Sequence, residues 1–291
     1  MRKALAFDIG GTKIFYAVVS ENGKISGDVK KCSTPKITED IVSVLKNGIS
    51  EFSDVDLIAI ATAGAVNNDN NRVISSTGNL PENYNLIDFG SLSDKKVFVE
   101  NDANAAAWAE YRIGSSKGCL NSVMLTLGTG VGGGIILNGK LFKGKSGAAG
   151  EMHFKMYPDK RRKCTCGAWD CYDAYASGTG LKQTAEEMSG NKGITTYDVI
   201  NGLKSGDAEM INIFNTWQNH VTQGIIGLAN IFDPDCFVLS GSLAEFTDVQ
   251  SIENEVNNEI VTSKTSVRKG SAGNFSGMIG VALLALENEV G

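Results

Sequence analysis

Cys164, Cys166 and Cys171 crowd into one short stretch, "KCTCGAWDC", of a chain that otherwise spends cysteine sparingly. Thiols at this spacing admit three chemistries: a redox pair, part of a disulfide framework, or three ligands of a metal site. A redox pair calls for Cys-x-x-Cys, which the stretch lacks. A metal site needs a fourth donor, and the chain has two histidines, His153 and His220. His153 lies just upstream in "GEMHF", whereas His220 sits inside a long helical pattern and reads as a core or surface side chain. Cys32, Cys119 and Cys236 stand apart, as buried small hydrophobes do.

Two glycine runs carry a second chemistry. In "DIGGTK", Gly10 and Gly11 lack side chains, so backbone N–H groups can approach an anion closely, and Thr12 adds a hydroxyl. "LGTGVGGG" offers the same through Gly128, Thr129, Gly130 and Gly132. Asp8 stands where it could hold a magnesium-bound water. The alternative for either run is a tight hairpin that needs positive φ. Neither run fits the P-loop pattern or the Rossmann fingerprint. A third candidate is Asp102 in "VENDANAAAWAE", where a strand passes straight into a helix. A carboxylate there suits phosphoryl transfer to an alcohol, accepting the proton of the attacking hydroxyl. Asp102 could equally cap the helix, or leave that to Asn104.

The elements that must position these residues follow from periodicity. "KALAFDIGGTKIFYAVVSENGKI" and "SVMLTLGTGVGGGIILNGKL" share one order of parts: strand, glycine turn, strand, and an Asn-Gly turn into a third strand. Both end in "NGK" and an aliphatic residue, which points to a duplicated module. Between and after the copies, "ITEDIVSVLKNGISEF", "ANAAAWAEYRIG", "AEMINIFNTWQNHVTQGIIGLANIF" and "SGMIGVALLALENEV" read as helices. "VDLIAIATAGAV", "KKVFVEND" and "DPDCFVLSG" read as strands. Sheets flanked by helices make the class α/β.

Composition bounds the partners. A chain of 291 residues with 42% hydrophobic and 21% charged residues is globular and long enough for two lobes. The net charge of −6 gives no footprint for nucleic acid. No apolar run reaches membrane-spanning length, and the opening residues do not make a signal peptide, so a cytoplasmic location is expected.

Together these stretches resemble the ROK family (repressors, uncharacterised reading frames and sugar kinases), within the actin-like, hexokinase-like ATPase superfamily. The resemblance runs almost end to end: "DIGGTK" and "LGTGVGGGI" resemble the two phosphate loops, and "ENDANAAAWAE" the catalytic segment. "GAAGE" resembles the sugar-contacting turn, "CTCGAWDCYDAYASG" the zinc signature, and "ANIFDPDCFVLSGSLA" the lining of the adenine pocket. It implies a two-lobed actin-like (ribonuclease H-like) ATPase fold with a duplicated β-hairpin module and an interlobe cleft. Residues 1–118 would form the small lobe, completed by a C-terminal helix at about 277–291, and residues 119–276 the large lobe with the zinc loop.

The activity implied is an ATP-dependent hexokinase acting on the 6-hydroxyl of a hexose, glucose foremost. N-acetylmannosamine or N-acetylglucosamine is the alternative substrate, ahead of a fructokinase or a non-catalytic sugar sensor. The cofactors implied are ATP with Mg²⁺ and a structural Zn²⁺, in a homodimer or homotetramer. Asp102 would be the general base, and Asn79, Asn101, Glu151, His153 and Asp173 would join it on the sugar. Asp8, Gly10, Gly11, Thr12, Lys13, Gly128, Thr129, Gly130 and Gly132 would hold the phosphates, and Gly241 and Ser242 the nucleoside. His153 would complete a zinc site with Cys164, Cys166 and Cys171. The chain departs from the family pattern in "GEMHF", which lacks a second glycine, in Asp170 for a usual glycine, and in Asp173 for a usual glutamate. With the first phosphate loop beginning at Asp8, no room is expected for the helix-turn-helix of the family's repressors.

Overall fold

The computed structural model describes residues 1–75 and 80–288. In chain order the elements are β1 (Lys3–Ile9), β2 (Lys13–Ser20), β3 (Ile25–Ser33), α1 (Thr38–Glu51), β4 (Leu57–Thr62), β5 (Ala65–Val66), β6 (Val73–Ser75), β7 (Val97–Asn101) and α2 (Asp102–Ile113). Then come β8 (Ser122–Leu127), β9 (Val131–Leu137), β10 (Lys140–Leu141), α3 (Asp173–Ala176), α4 (Gly178–Ser189), α5 (Thr196–Ser205) and α6 (Ala208–Phe232). The chain continues through β11 (Cys236–Ser240), α7 (Val249–Glu259), β12 (Ser266–Lys269) and α8 (Ser276–Glu287). Among the described residues, no helix is long and apolar enough to cross a membrane.

Two compact units result. The first holds Met1–Gly118, Gly134–Gly150 and Ser271–Gly291, and the second Cys119–Gly133 and Glu151–Gly270. Residues 134–150, which the sequence reading places in the large lobe, therefore group with the first unit. Side chains hold them there: the Lys143 ammonium pairs with the buried Glu100 carboxylate at 2.9 Å. The Asn68 amide donates to the carbonyls of Gly144 and Lys145 at 3.2 and 3.0 Å.

The sheet of the first unit runs β3-β2-β1-β4-β7, and the sheet built on β8 runs β10-β9-β8-β11-β12. Counted from its own first strand, each has the order third, second, first, fourth, fifth. The hairpin strands β1 and β2 are antiparallel, and β4 and β7 run parallel to β1. In the other sheet β11 lies parallel to β8, and β12 parallel to β11.

Strand alternation sorts the first sheet's residues by size. Ala4, Ala6, Ala59 and Ala61 face one side, where they pack with α2 and α8. Leu5, Phe7, Ile9, Ile58 and Ile60 face the other, with Ile41 and Leu45 of α1. Small residues on the first face let two helices settle close to the sheet. Helix α8 is apolar all round and buried from Gly277 to Leu286, as a helix with no solvent face must be. It meets the alanine face of α2 so closely that a Cβ on Gly280 would lie 1.7 Å from the Ala105 carbonyl oxygen.

Candidate active site

Strand β1 ends at Asp8-Ile9 and turns through residues 10–12 into β2. The turn is pinned from below: Gly10 N–H donates to the Lys13 carbonyl at 3.0 Å and Thr34 N–H to that of Thr12 at 2.9 Å. The Thr34 hydroxyl donates to the Gly10 carbonyl at 2.6 Å. Gly10 is not in the left-handed region, and a Cβ there would meet only the Lys13 oxygen, at an ordinary 3.4 Å. Neither conformation nor internal packing demands glycine at this position, and the missing side chain leaves the backbone open to close approach. Among the described residues, the N–H groups of Gly11 and Thr12 have no internal partner.

The second glycine turn repeats this arrangement. A Cβ on Gly128 would meet nothing nearer than 3.8 Å. Gly128 N–H donates to the Gly130 carbonyl at 3.0 Å and Gly132 N–H to the Thr126 hydroxyl at 3.1 Å. The exposed N–H groups of Thr129 and Gly130 are left without internal partners among the described residues. Each turn thus presents two adjacent backbone donors, a concavity suited to an anion. Gly241 differs: its φ of 87° and the Leu127 backbone 2.7 Å from any added Cβ require glycine for the turn itself. Ser242 beside it is exposed.

Helix α2 begins at Asp102, and its cap is Asn101, whose side-chain oxygen accepts from Asn104 N–H at 3.0 Å. Neither Asp102 nor Asn104 caps it. The Asn101 amide also donates to the Gly64 carbonyl at 3.0 Å, so both ends of that side chain are engaged. Asp102 keeps its carboxylate on the first turn, one oxygen accepting from Ala103 N–H at 2.8 Å. Beneath the junction lies Glu100, 1% exposed, which the sequence reading passes over. It accepts from Asn101 N–H at 2.9 Å, the Asn104 amide at 3.2 Å and the Asn70 amide at 2.7 Å, besides pairing with Lys143. A glutamate in the apolar strand "VFVEN" is the sequence signal for such a buried anchor.

Burial pushes the Asp8 carboxyl up to about 7, and the negative charge of Asp102 adds to the effect. A carboxyl raised from 3.8 to about 7 on folding contributes stability that is fully present below pH 3.8 and lost as pH rises through 7. Without divalent cation or nucleotide, Asp8→Asn should therefore raise the melting temperature more at about pH 8 than at about pH 4.5. Equal shifts at the two pH values in calorimetry would refute this.

In the second unit, His153 Nδ1 lies 3.5 Å from Cys164 Sγ, and the sulfurs of Cys166 and Cys171 are 3.6 Å apart. The four donor atoms all lie within 4.8 Å of one another. No disulfide is formed; all three cysteines are free. Tetrahedral zinc, with bonds of about 2.3 Å to sulfur and 2.0–2.1 Å to nitrogen, spaces its ligands by about 3.6–3.8 Å, so the donors fit. Burial, with the neighbouring thiols, pushes Cys171 up to about 12, so metal uptake must displace its proton. The other face of His153 meets Glu151, Nε2 to carboxylate 3.6 Å, and Glu151 itself is exposed. His220 belongs elsewhere: it stands edge-on to Tyr175 with ring centres 5.2 Å apart, and burial holds it down to about 4.

The loop is also held without metal. Asp170, at φ 58°, accepts from Arg161 N–H at 3.0 Å, Arg162 N–H at 2.9 Å and the Tyr175 hydroxyl at 2.7 Å. Asp173, which the resemblance puts on the sugar, is 6% exposed and turns its carboxylate to the second glycine turn, accepting from Val131 N–H at 2.6 Å. Asn79 lies outside the described residues. Lys13 is exposed at the start of β2.

The chain is 32% identical to a glucokinase of Streptomyces coelicolor, covering 99% of this chain and 98% of that one. It is 33% identical to an N-acetylmannosamine kinase of Yersinia pestis, with 84% of each covered. Its structure is similar, at a TM-score of 0.83 and 30% identity, to that of a ROK family glucokinase from Streptomyces griseus in complex with glucose and AMPPNP, covering 98% of this chain and 99% of that one. The ROK family profile matches residues 4–288, a span that takes in both glycine turns, both sheets and the cysteine loop. A likeness of that extent rests on the whole fold, and by it the chain belongs to the ROK family.

Proposed function

We propose that the chain is an ATP-dependent hexose kinase that transfers the γ-phosphoryl group to the 6-hydroxyl of glucose. The observation that carries the reading is Asp102, a carboxylate on the first turn of α2 beside the raised Asp8, in a chain this similar to a glucokinase. Asp102 accepts the proton of the attacking hydroxyl and orients its oxygen, the task phosphoryl transfer to an alcohol asks of a protein carboxylate. The paired N–H groups of Gly11 with Thr12 and of Thr129 with Gly130 hold phosphate oxygens. Gly241 and Ser242 approach the nucleoside, and Glu151 takes sugar hydroxyls together with the second amide proton of Asn101, the first being given to Gly64. Asp8 accounts for a divalent cation: its proton is held weakly enough near neutrality to be displaced by Mg²⁺, which when bound neutralises charge on the phosphates. His153, Cys164, Cys166 and Cys171 would hold a zinc ion as a closed structural crosslink, which also fixes the ring that faces Glu151.

The likeness to N-acetylmannosamine kinases favours one alternative substrate. A coupled assay of ADP release against glucose, fructose, N-acetylmannosamine and N-acetylglucosamine decides, together with elemental analysis of protein purified without chelator. We expect turnover with glucose to exceed that with the others, and one zinc per chain. ATP consumption with none of these sugars overturns the kinase reading; a preference for an N-acetylhexosamine overturns only the substrate.

A further inference from the structure

Residues 173–179 follow directly on the cysteine cluster, and they hold the second glycine turn from three sides. Asp173 Oδ2 accepts from Val131 N–H at 2.6 Å. Gly178 N–H donates to the Gly128 carbonyl at 2.7 Å. Thr179 donates twice to the Thr129 carbonyl, from its N–H at 3.3 Å and from its hydroxyl at 2.9 Å. The fit leaves no slack. A Cβ on Gly130 would lie 2.9 Å from Asp173 Oδ2, and one on Gly178 would lie 2.9 Å from the Gly128 oxygen. The other oxygen of Asp173 lies 3.9 Å from Cys164 Sγ, and Ala174 N–H donates to the Cys171 carbonyl at 2.9 Å. A single buried carboxylate thus touches the turn with one oxygen and the cluster with the other.

We infer that Asp173 is a positioning residue for the second glycine turn, and that through it the metal centre sets nucleotide affinity. The inference rests on the reading above that this turn binds nucleotide phosphate. Its physical content is preorganisation. The bonds from Asp173, Gly178 and Thr179 occupy the turn's inward groups and leave Thr129 N–H and Gly130 N–H facing outward. If the carboxylate withdraws, Val131 N–H loses its buried acceptor and the outward pair loses its fixed geometry. If the cluster opens, the start of α3 shifts and Asp173 with it. A carboxylate used in this way is not available as a direct sugar ligand.

The test uses the whole chain, purified with zinc, and three readouts: ADP affinity by calorimetry, glucose affinity by intrinsic fluorescence, and amide hydrogen exchange across residues 128–133. Asp173→Ala should weaken ADP by about 10- to 100-fold, the effect of losing a hydrogen bond to a charged acceptor. Asp173→Asn, whose amide oxygen can still accept from Val131, should recover most of that loss. Cys166→Ser removes a donor at an exposed position and should weaken ADP by roughly 3- to 10-fold while speeding exchange in the turn. Unchanged ADP affinity and exchange in Asp173→Ala overturns the inference, including the case where glucose affinity alone falls. If that variant does not fold, Cys166→Ser decides by the same two readouts. If the wild-type protein binds no ADP, the nucleotide reading fails and the inference with it, whereas faster exchange at 128–133 in Cys166→Ser would still establish the mechanical link.

Discussion

Asp102→Asn should fold as the wild type does and lose turnover by roughly 10²–10⁴, the range for removing a general base. Folding is spared because Asn101, not Asp102, caps α2, and because an asparagine oxygen can still accept from Ala103 N–H. Sugar and nucleotide affinities should change little, so the loss appears in kcat. A second signature should accompany it. Burial, the larger cause of the raised Asp8 carboxyl, is unchanged, so removing the Asp102 charge should lower Asp8 only part of the way. Steady-state kinetics at saturating substrates checks the first claim, and wild-type kcat would sink the assignment. Titration of the ligand-free variant checks the second.

Gly280→Ala should strongly destabilise the first unit. The added Cβ would lie 1.7 Å from the Ala105 carbonyl oxygen, 2.5 Å from its carbon and 3.1 Å from Ala109 nitrogen. All three are backbone atoms of α2, so no side chain can swing aside, and α2 and α8 must separate. Overpacking of this kind costs about 3 kcal/mol, a fall of roughly 5–10 °C in melting temperature for a chain this long. Because Asp102 opens α2, the same shift should lower kcat at temperatures where the variant is still folded. Gly227→Ala is the control: it lies within α6 with nothing within 4 Å of the new Cβ, so helix propensity alone makes it neutral or mildly stabilising. Equal melting temperatures for Gly280→Ala and wild type would show that the two helices have room to spare.

Much of this was legible in the residues. An apolar run, two glycines and a second apolar run can form little but a hairpin, and its repetition announced the second sheet before any strand order was known. The grouping of His153 with Cys164, Cys166 and Cys171 was legible too, because donors this close in sequence stay close in space. Helix α5 was not read, although Thr195 and Asp198 make a reciprocal capping box that marks its start. The cap of α2 could not be chosen from sequence, since Asn101, Asp102 and Asn104 are all good caps and only the extended backbone at Asn101 decides between them. Long-range partners were invisible for a different reason. Glu100 with Lys143, and Asp173 with Val131, are joined only once the strands have paired, and neither member of a pair carries a local sign of the other.

Helix α8 has a bearing on how the chain comes to be folded at all. The alanine face of the first sheet is laid down within the opening sixty or so residues, yet α8, which completes the cover that α2 begins, lies beyond Gly270. A ribosome releasing the chain in order delivers every strand and helix of the second unit before that cover exists. The second unit can therefore be complete while Ala4, Ala6 and Ala59 still lack the half of their cover that α8 supplies, and the first unit to begin is the last to close.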